Sequence, residues 1–431
     1  MFITDIFGEN ENGNLTISGV DTVDLAKQYG TPLYVFDENY IRQTCKAFNK
    51  SMSENYEKGL VCFASKALSC KEIYRIVCSE GLGIDVVSGG ELYTAMSVNF
   101  PPEKICFHGN NKTDDELTLA IEYNVGRIVV DNIEELNRLN EFAKEKNKTV
   151  NILLRIKPGI DAHTHSFVKT GQIDSKFGFA LETGEAYNAV KLAISCKNLK
   201  LLGLHCHIGS QIFDTEPFIE AAKVMLLFIA KIKNELCYAI TDLNLGGGFG
   251  IKYTESDKPI PFYEYMAKVS KVVKEKCNEY NISEPFIIIE PGRSIIGEAG
   301  ITLYTVGSVK TIPNIRTYVS VNGGITDNPR YALYKSQYEM CIANKVGSKK
   351  DTTVTVAGRC CESGDLLGEN IALQKCESGD TLCVFSTGAY NYSMASNYNR
   401  VPRAMAIMIT DSKPRVIIKR ETYEDLLRND V

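Results

Sequence analysis

Eight short apolar runs recur between Val61 and Glu290: Val61 to Lys66, Gly83 to Val87, Ile105 to His108, Arg127 to Asp131, Val150 to Lys157, Leu201 to Ile208, Asp242 to Gly246 and Phe286 to Glu290. Runs of this length predict buried strands. The stretches between them, such as ELYTAMSV, DDELTLAIEYN, IEELNRLNEFAKEKN and FIEAAKVMLLFIAKIKNEL, return an apolar residue every three to four positions and predict helices. Alternation of the two calls for a parallel sheet of βαβ units, and eight repeats predict a (β/α)8, or TIM, barrel. A helix starting at Asp37, with Ile41, Cys45 and Phe48 on its apolar face, leads into the first strand.

Either side of this region the period changes. Upstream, LTISGV reads as a strand, a small helix begins at Asp21, and PLYVFD reads as a second strand. Past Arg293, the segments Ile301 to Thr311, Thr317 to Val321, Thr352 to Ala357, Thr381 to Ser386, Ala404 to Ile409 and Arg415 to Lys419 read as strands broken by Gly, Pro and Asp turns. They predict an all-β second domain. The opening strands have no barrel partners and are expected to join it, which sets the boundaries at residues 37–295 for the barrel and 1–36 with 296–431 for the β domain.

The barrel strands end on groups foreign to an apolar core: Lys66, Asp85 with Ser88, His108 with Asn110, Asp131, Arg155, His207 with Ser210, the glycines Gly246 to Gly248, and Glu290 with Arg293. In a parallel barrel the C-terminal strand ends form the catalytic face, so this alignment predicts a site there. Lys66 is the most unusual of them. An ammonium closing a buried strand must snorkel out, be paired, be desolvated until its pKa falls, or be held as an imine. GGGFG, Gly246 to Gly250, either closes a tight turn or brings several backbone N–H groups onto one anion, since no Cβ blocks the approach. It has the spacing of neither a Walker loop nor a dinucleotide fingerprint. The glycine beside Arg293 in IIIEPGRSI favours the anion, because the loops after strands seven and eight of a barrel commonly bind phosphate; Arg293 is otherwise a structural ion-pair partner.

A phosphate site beside a rim lysine points to pyridoxal phosphate, whose aldehyde forms an imine with an amine. Its pyridine nitrogen needs a carboxylate to keep a proton, and Glu290 is suitably buried. His207 either stacks on the ring or is a hydrogen-bonded core histidine. In the β domain, CCESGD (Cys360 to Asp365) and STGAYNYSMAS (Ser386 to Ser396) follow apolar strands that would aim them, though either also reads as an ordinary loop.

Composition narrows the classes. A chain of 431 residues is long enough for two domains, and a net charge of -5 without a basic run gives no support for nucleic acid or an anionic membrane as partner. No apolar stretch spans a bilayer, and the acidic opening MFITDIFGENENG lacks the regions of a signal peptide, so a cytoplasmic protein is expected. Its 14 cysteines, with no C-x-x-C pair, are then reduced thiols. HCH, His205 to His207, offers no evident third ligand, and no metal is expected.

With these residues assembled, the chain resembles the diaminopimelate decarboxylases, within the alanine-racemase-like (fold type III) pyridoxal-phosphate enzymes. FASKAL, GLGIDVVSGGEL, HGNNK, KPGIDAHTHSFVKTG with DSKFGF, HCHIGSQ, GGGFG, EPGRSI, NPRYALY, CESGD and GAY stand in that family's order over nearly the whole length. The resemblance implies decarboxylation of meso-2,6-diaminopimelate to L-lysine, the last step of lysine biosynthesis. It makes Lys66 the Schiff-base lysine and lets His207 stack on the ring. Cofactor would be held by Ser210, Gly247, Glu290, Pro291, Gly292 and Arg293. Arg293, Arg330, Tyr334 and Glu362 would contact substrate, Tyr390 both cofactor and substrate, and Cys361 would donate the proton. A homodimer with shared active sites is implied as well. Two departures stand out: FASKAL replaces the commoner alanine-valine-lysine-alanine-asparagine pattern, and VAGRCCESGD puts Cys360 beside the implied acid, so the choice of Cys361 rests on its place in CES.

The competing readings are a decarboxylase of ornithine, arginine or carboxynorspermidine, which shares the cofactor apparatus, and a non-catalytic regulator that binds the cofactor. A substrate without a distal carboxylate would leave an arginine unmatched, and a mere binder needs no acid in the β domain.

Overall fold

Eight parallel strands, β1 (Gly59–Ala64), β2 (Gly83–Val86), β3 (Ile105–Phe107), β4 (Arg127–Val130), β5 (Val150–Lys157), β6 (Leu199–His205), β7 (Asp242–Asn244) and β8 (Phe286–Ile289), pair in chain order in a computed structural model. The sheet closes where β8 meets β1, with Ile287 opposite Gly59 and Ile289 opposite Val61. A two-residue strand, Phe179–Ala180, pairs beside β5. Residues 3–160 and 175–431 are described; DAHTHSFVKTG and Asp174 of the DSKFGF motif lie outside the described residues.

The expected barrel is present, but most strands stop short of the residues chosen from the sequence. β1 ends at Ala64, and Lys66 stands in a 3-10 turn, Ser65–Ala67. β3, β4, β7 and β8 end before His108, Asp131, Gly246 and Glu290 respectively, and β6 starts at Leu199 and ends at His205. The reason is that burial outlasts the ladder. His108 N still donates to Val86 O and Glu290 N to Gly246 O, at 2.8 Å each, while the chain turns over the rim.

This barrel unit comprises Thr44–Gly250 and Pro259–Gly292. Inside it, Cys62, Cys106 and Ile288 pack with Leu60 and Phe286. Arg127 reaches across from β4 to Asp242 on β7 (Nε to Oδ2, 2.7 Å) with its guanidinium over the Phe286 ring, so the charges at this level are paired. A second buried pair anchors the rim. Lys112, in HGNNK, is 1% exposed, and its Nζ donates to Glu135 Oε1 (2.8 Å), Val129 O (2.8 Å) and Gly109 O (2.9 Å). Three acceptors on one ammonium compensate its desolvation and fix the loop that carries His108.

The other unit comprises Met1–Gln43, Ile251–Lys258 and Arg293–Val431. Its spine is the strand Gly300–Ile312, which pairs antiparallel with Leu33–Asp37, Arg316–Val321 and Thr381–Val384. Leu33–Asp37 also pairs parallel with Met405–Thr410, so this opening strand does join the C-terminal sheet. Alternation along the spine feeds two cores. Ile301 and Leu303 pack with Leu33, Val35, Phe385 and Ile407, while Tyr304 and Val306 pack with Val319, Val354, Val356 and Leu382. The three-stranded sheet Phe7–Glu9, Leu15–Ile17 and Val20–Asp21 and the helix Thr22–Tyr29, capped by Asp21, cover the first of these cores. Periodicity did not reveal Leu366–Leu373, Met340–Ile342 or the short helix Arg330–Tyr334, each too short or too polar to show a clear period.

Candidate active site

At the C-terminal rim of the barrel a cavity of about 360 Å³ is lined by Lys66, Asp85, His108, Arg155, His205, His207 and Glu290, with Val87, Gly109, Asn110 and Phe177. Of the strand-end residues singled out in the sequence, Lys66, Asp85, His108, Asn110, Arg155, His207 and Glu290 line it, while Ser88, Asp131, Ser210, Gly246 to Gly248 and Arg293 do not. Lys66 is exposed to this space, between the buried Ser65 and Ala67.

Glu290 is the best-determined group. Its Oε1 accepts from His108 Nε2 (2.7 Å) and Asn244 Nδ2 (2.6 Å), and His205 Nε2 stands 3.5 Å from its Oε2. Burial alone would raise this carboxyl, but the His108 and His205 imidazoles outweigh it and hold Glu290 well below the usual range, ionised. Asn244 has the other half of its amide occupied as well, accepting from Gly246 N at 2.8 Å. This amide, fully buried between Leu243 and Leu245, was missed in the sequence; a lone polar residue inside an apolar strand was the signal.

The carboxylates around Lys66 behave differently. Burial, then the charge of Glu290, pushes Asp85 up to about 6, and its Oδ1 accepts from Ser65 N (3.2 Å). Burial pushes Glu91, another residue not singled out, up to about 7. Both are near the pKa at which a carboxyl exchanges a proton at neutral pH. Burial, with the positive charges of Lys66 and Arg155, keeps the His207 imidazole neutral, suited to lie against an aromatic ring.

The glycine run is largely explained by packing. A Cβ on Gly247 would stand 2.2 Å from Glu290 O, and one on Gly246 2.5 Å from Cys206 O. The N–H groups of Gly246 and Gly247 donate to Asn244 Oδ1 (2.8 Å) and to His207 Nδ1 (3.3 Å). The tight-turn alternative thus has physical content, and the run also brings β7, His207 and Glu290 together. Ser210 lies in the loop after β6, which bridges to the run through Ile212 and Phe249. Pro291 O accepts from Ala64 N (3.0 Å), and a Cβ on Gly292 would meet the Ala64 Cβ at 2.7 Å, which holds this loop close under the Lys66 turn.

In the β-rich unit a second constellation forms. Arg293 and Arg330, each 7% exposed, both donate to the Tyr253 phenol, Arg330 from Nη1 at 2.8 Å. The Tyr390 ring lies 4.7 Å from the Arg293 guanidinium and 5.7 Å from that of Arg330, and Tyr334 is 5.9 Å from the latter. Tyr253, outside every motif considered, was missed entirely. Cys361 and Glu362 are engaged in another turn of this unit. Cys361 N donates to Asn399 Oδ1 (2.8 Å), Glu362 Oε1 accepts from Gly364 N (3.1 Å), and both side chains are exposed. Cys360 is tied down instead: its N–H donates to Asp365 Oδ2 (2.6 Å), and burial with the Asp365 charge pushes its thiol up to about 11.

Comparison with known proteins places the chain in a family. Residues 38–297 match the pyridoxal binding domain of the pyridoxal-dependent decarboxylases. The chain is 48% identical over 431 residues to a diaminopimelate decarboxylase of Bacillus subtilis, covering 100% of this chain and 98% of that protein. To a diaminopimelate decarboxylase of Bacillus methanolicus it is 50% identical over 412 residues, 96% of this chain and 95% of that one. The crystal structure of diaminopimelate decarboxylase from M. jannaschii in complex with L-lysine superposes with a TM-score of 0.92 at 36% identity, covering 100% of this chain and 99% of that one. A lysine/ornithine decarboxylase of Vibrio vulnificus, at 22% identity and a TM-score of 0.75, shares the fold.

Proposed function

Because the chain belongs to the diaminopimelate decarboxylase family of pyridoxal-dependent decarboxylases, we propose that it converts meso-2,6-diaminopimelate to L-lysine and carbon dioxide with pyridoxal phosphate as cofactor. The observation that carries this reading is the rim cavity in which Lys66 and an ionised Glu290 stand together. Both are what the cofactor needs: an amine to hold its aldehyde and a carboxylate to keep its ring nitrogen protonated. When bound, it supplies the sink for the electron pair that departing carbon dioxide leaves on carbon.

The protein's own groups do the rest. Lys66 would hold the cofactor's aldehyde through Nζ. Glu290, its Oε1 accepting from two donors, would keep the proton at the ring nitrogen. His207 would pack on the ring, and Ser210, Gly247, Pro291, Gly292 and Arg293 would hold the remainder of the cofactor. Cys361 gives the proton that replaces the lost carboxylate. At the distal end of the substrate, Arg293 and Arg330 take the carboxylate in fork geometry, Glu362 takes the ammonium, and Tyr334 and Tyr390 line the approach. The working form is a homodimer, with Cys361 and Glu362 of one copy serving the Lys66 cavity of the other. Their exposure in the single chain supports this. The enzyme works in the cytoplasm, which agrees with 14 free thiols.

Arg330→Met tests the distal grip. Losing a buried charged partner of a carboxylate should raise KM for diaminopimelate by roughly 30-fold or more and narrow the advantage of diaminopimelate over lysine. Initial rates of carbon dioxide release give both numbers, and an unchanged KM in the folded variant would contradict the assignment of Arg330.

A further inference from the structure

Two buried guanidiniums side by side repel each other, yet Arg293 and Arg330 donate to a single oxygen, that of Tyr253. The arrangement is built rather than incidental. The Tyr253 ring is 6% exposed, meets Tyr338 edge-on at 5.1 Å and belongs, with Ile251, to an apolar core of the β-rich unit. Both guanidiniums also lie over it, 5.6 Å and 5.4 Å from its centroid. Burial would raise the phenol, but the charge of Arg293 and then that of Arg330 outweigh it and hold it below its ordinary value. The groups that stabilise the Arg330 charge against burial are the phenols of Tyr253, Tyr338 and Tyr390, and no carboxylate pairs with Arg330 among the described residues.

An aspartate in place of this phenol would neutralise the arginines and compete with an incoming carboxylate. A phenol accepts both hydrogen bonds while leaving most of the positive charge unspent. We propose that Tyr253 is a specificity-determining positioning residue, whose phenolic oxygen holds Arg293 and Arg330 on one point so that they meet the distal carboxylate of the substrate as a preset pair. This rests on the reading that the two arginines grip that carboxylate. Its effect is to lower the ordering cost that binding would otherwise bear.

The test compares Tyr253→Phe, Arg330→Met and the double variant as holoenzymes, each checked for fold by circular dichroism and Tm. Tyr253→Phe should raise KM for meso-diaminopimelate roughly tenfold to a hundredfold, the range of a hydrogen bond to a charged group, with kcat within about threefold. The dissociation constant of L-lysine, whose one carboxylate is the distal one left by the reaction, should rise by a similar factor in a titration without turnover. Added to Arg330→Met, Tyr253→Phe should cost less than about threefold more, because the two groups act as one unit. An unchanged KM in Tyr253→Phe beside a raised KM in Arg330→Met overturns the role of Tyr253 alone. So does a fully multiplicative double variant, or a fall in kcat as large as the rise in KM. Unchanged KM in both single variants removes the distal grip and this proposal with it.

Discussion

Lys66→Ala is expected to lose the visible absorption of covalently held pyridoxal phosphate and to bring carbon dioxide release down to background, while the protein stays folded. The fold should survive because Lys66 is exposed in a 3-10 turn, so its truncation leaves no void among Ser65, Ala67 and the buried end of β1. The chemistry should not survive, since an amine of the right reach is required at this one point on the rim. Borohydride reduction followed by dialysis checks the attachment: the unmodified enzyme should keep its cofactor and the variant should lose it. A variant that retained the reduced cofactor would place the attachment elsewhere.

Cys361→Ala is expected to lose about 10²–10⁴-fold in kcat, the usual contribution of a general acid, and Cys360→Ala far less. The two thiols are neighbours in sequence but differ in circumstance. Cys360 is fastened to Asp365, and its thiol is pushed up to about 11, whereas Cys361 is exposed on the same turn. Kinetics of the two single variants decide between them, and a dominant Cys360 effect would reverse the assignment. Mixing Lys66→Ala with Cys361→Ala chains should restore part of the activity if a site is completed by two copies. No recovery under proven subunit exchange would count against sharing.

Much of this was legible in the residues. The β1 to β8 alternation appeared as apolar runs and helical periods, because a barrel strand buried on both sides must be apolar throughout. The polar strand ends announced the rim for the same reason: Lys66, His108, His207 and Glu290 have no place in such a strand unless they face a cavity. Less legible was anything set by distant contacts. Asn244 became meaningful once its amide was seen joining Gly246 to Glu290, 46 residues away in sequence from its acceptor. Tyr253 sits in a loop with no period of its own, and only the fold brings it to Arg330, 77 residues further on. The glycine run carries a constraint its residues did not show: two of its N–H groups have internal partners, and the close approach of Glu290 O and Cys206 O excludes a Cβ.

The central claim is that this site removes a carboxylate from one end of a diamino acid while gripping a second carboxylate at the other. Carbon dioxide release by the unmodified enzyme from meso-diaminopimelate, lysine, ornithine and arginine tests it most directly. A site that buries guanidinium donors for a distal carboxylate rejects analogues lacking one by roughly 10⁴-fold or more in kcat/KM, so diaminopimelate alone should be turned over efficiently. Comparable release from ornithine or arginine would contradict the account.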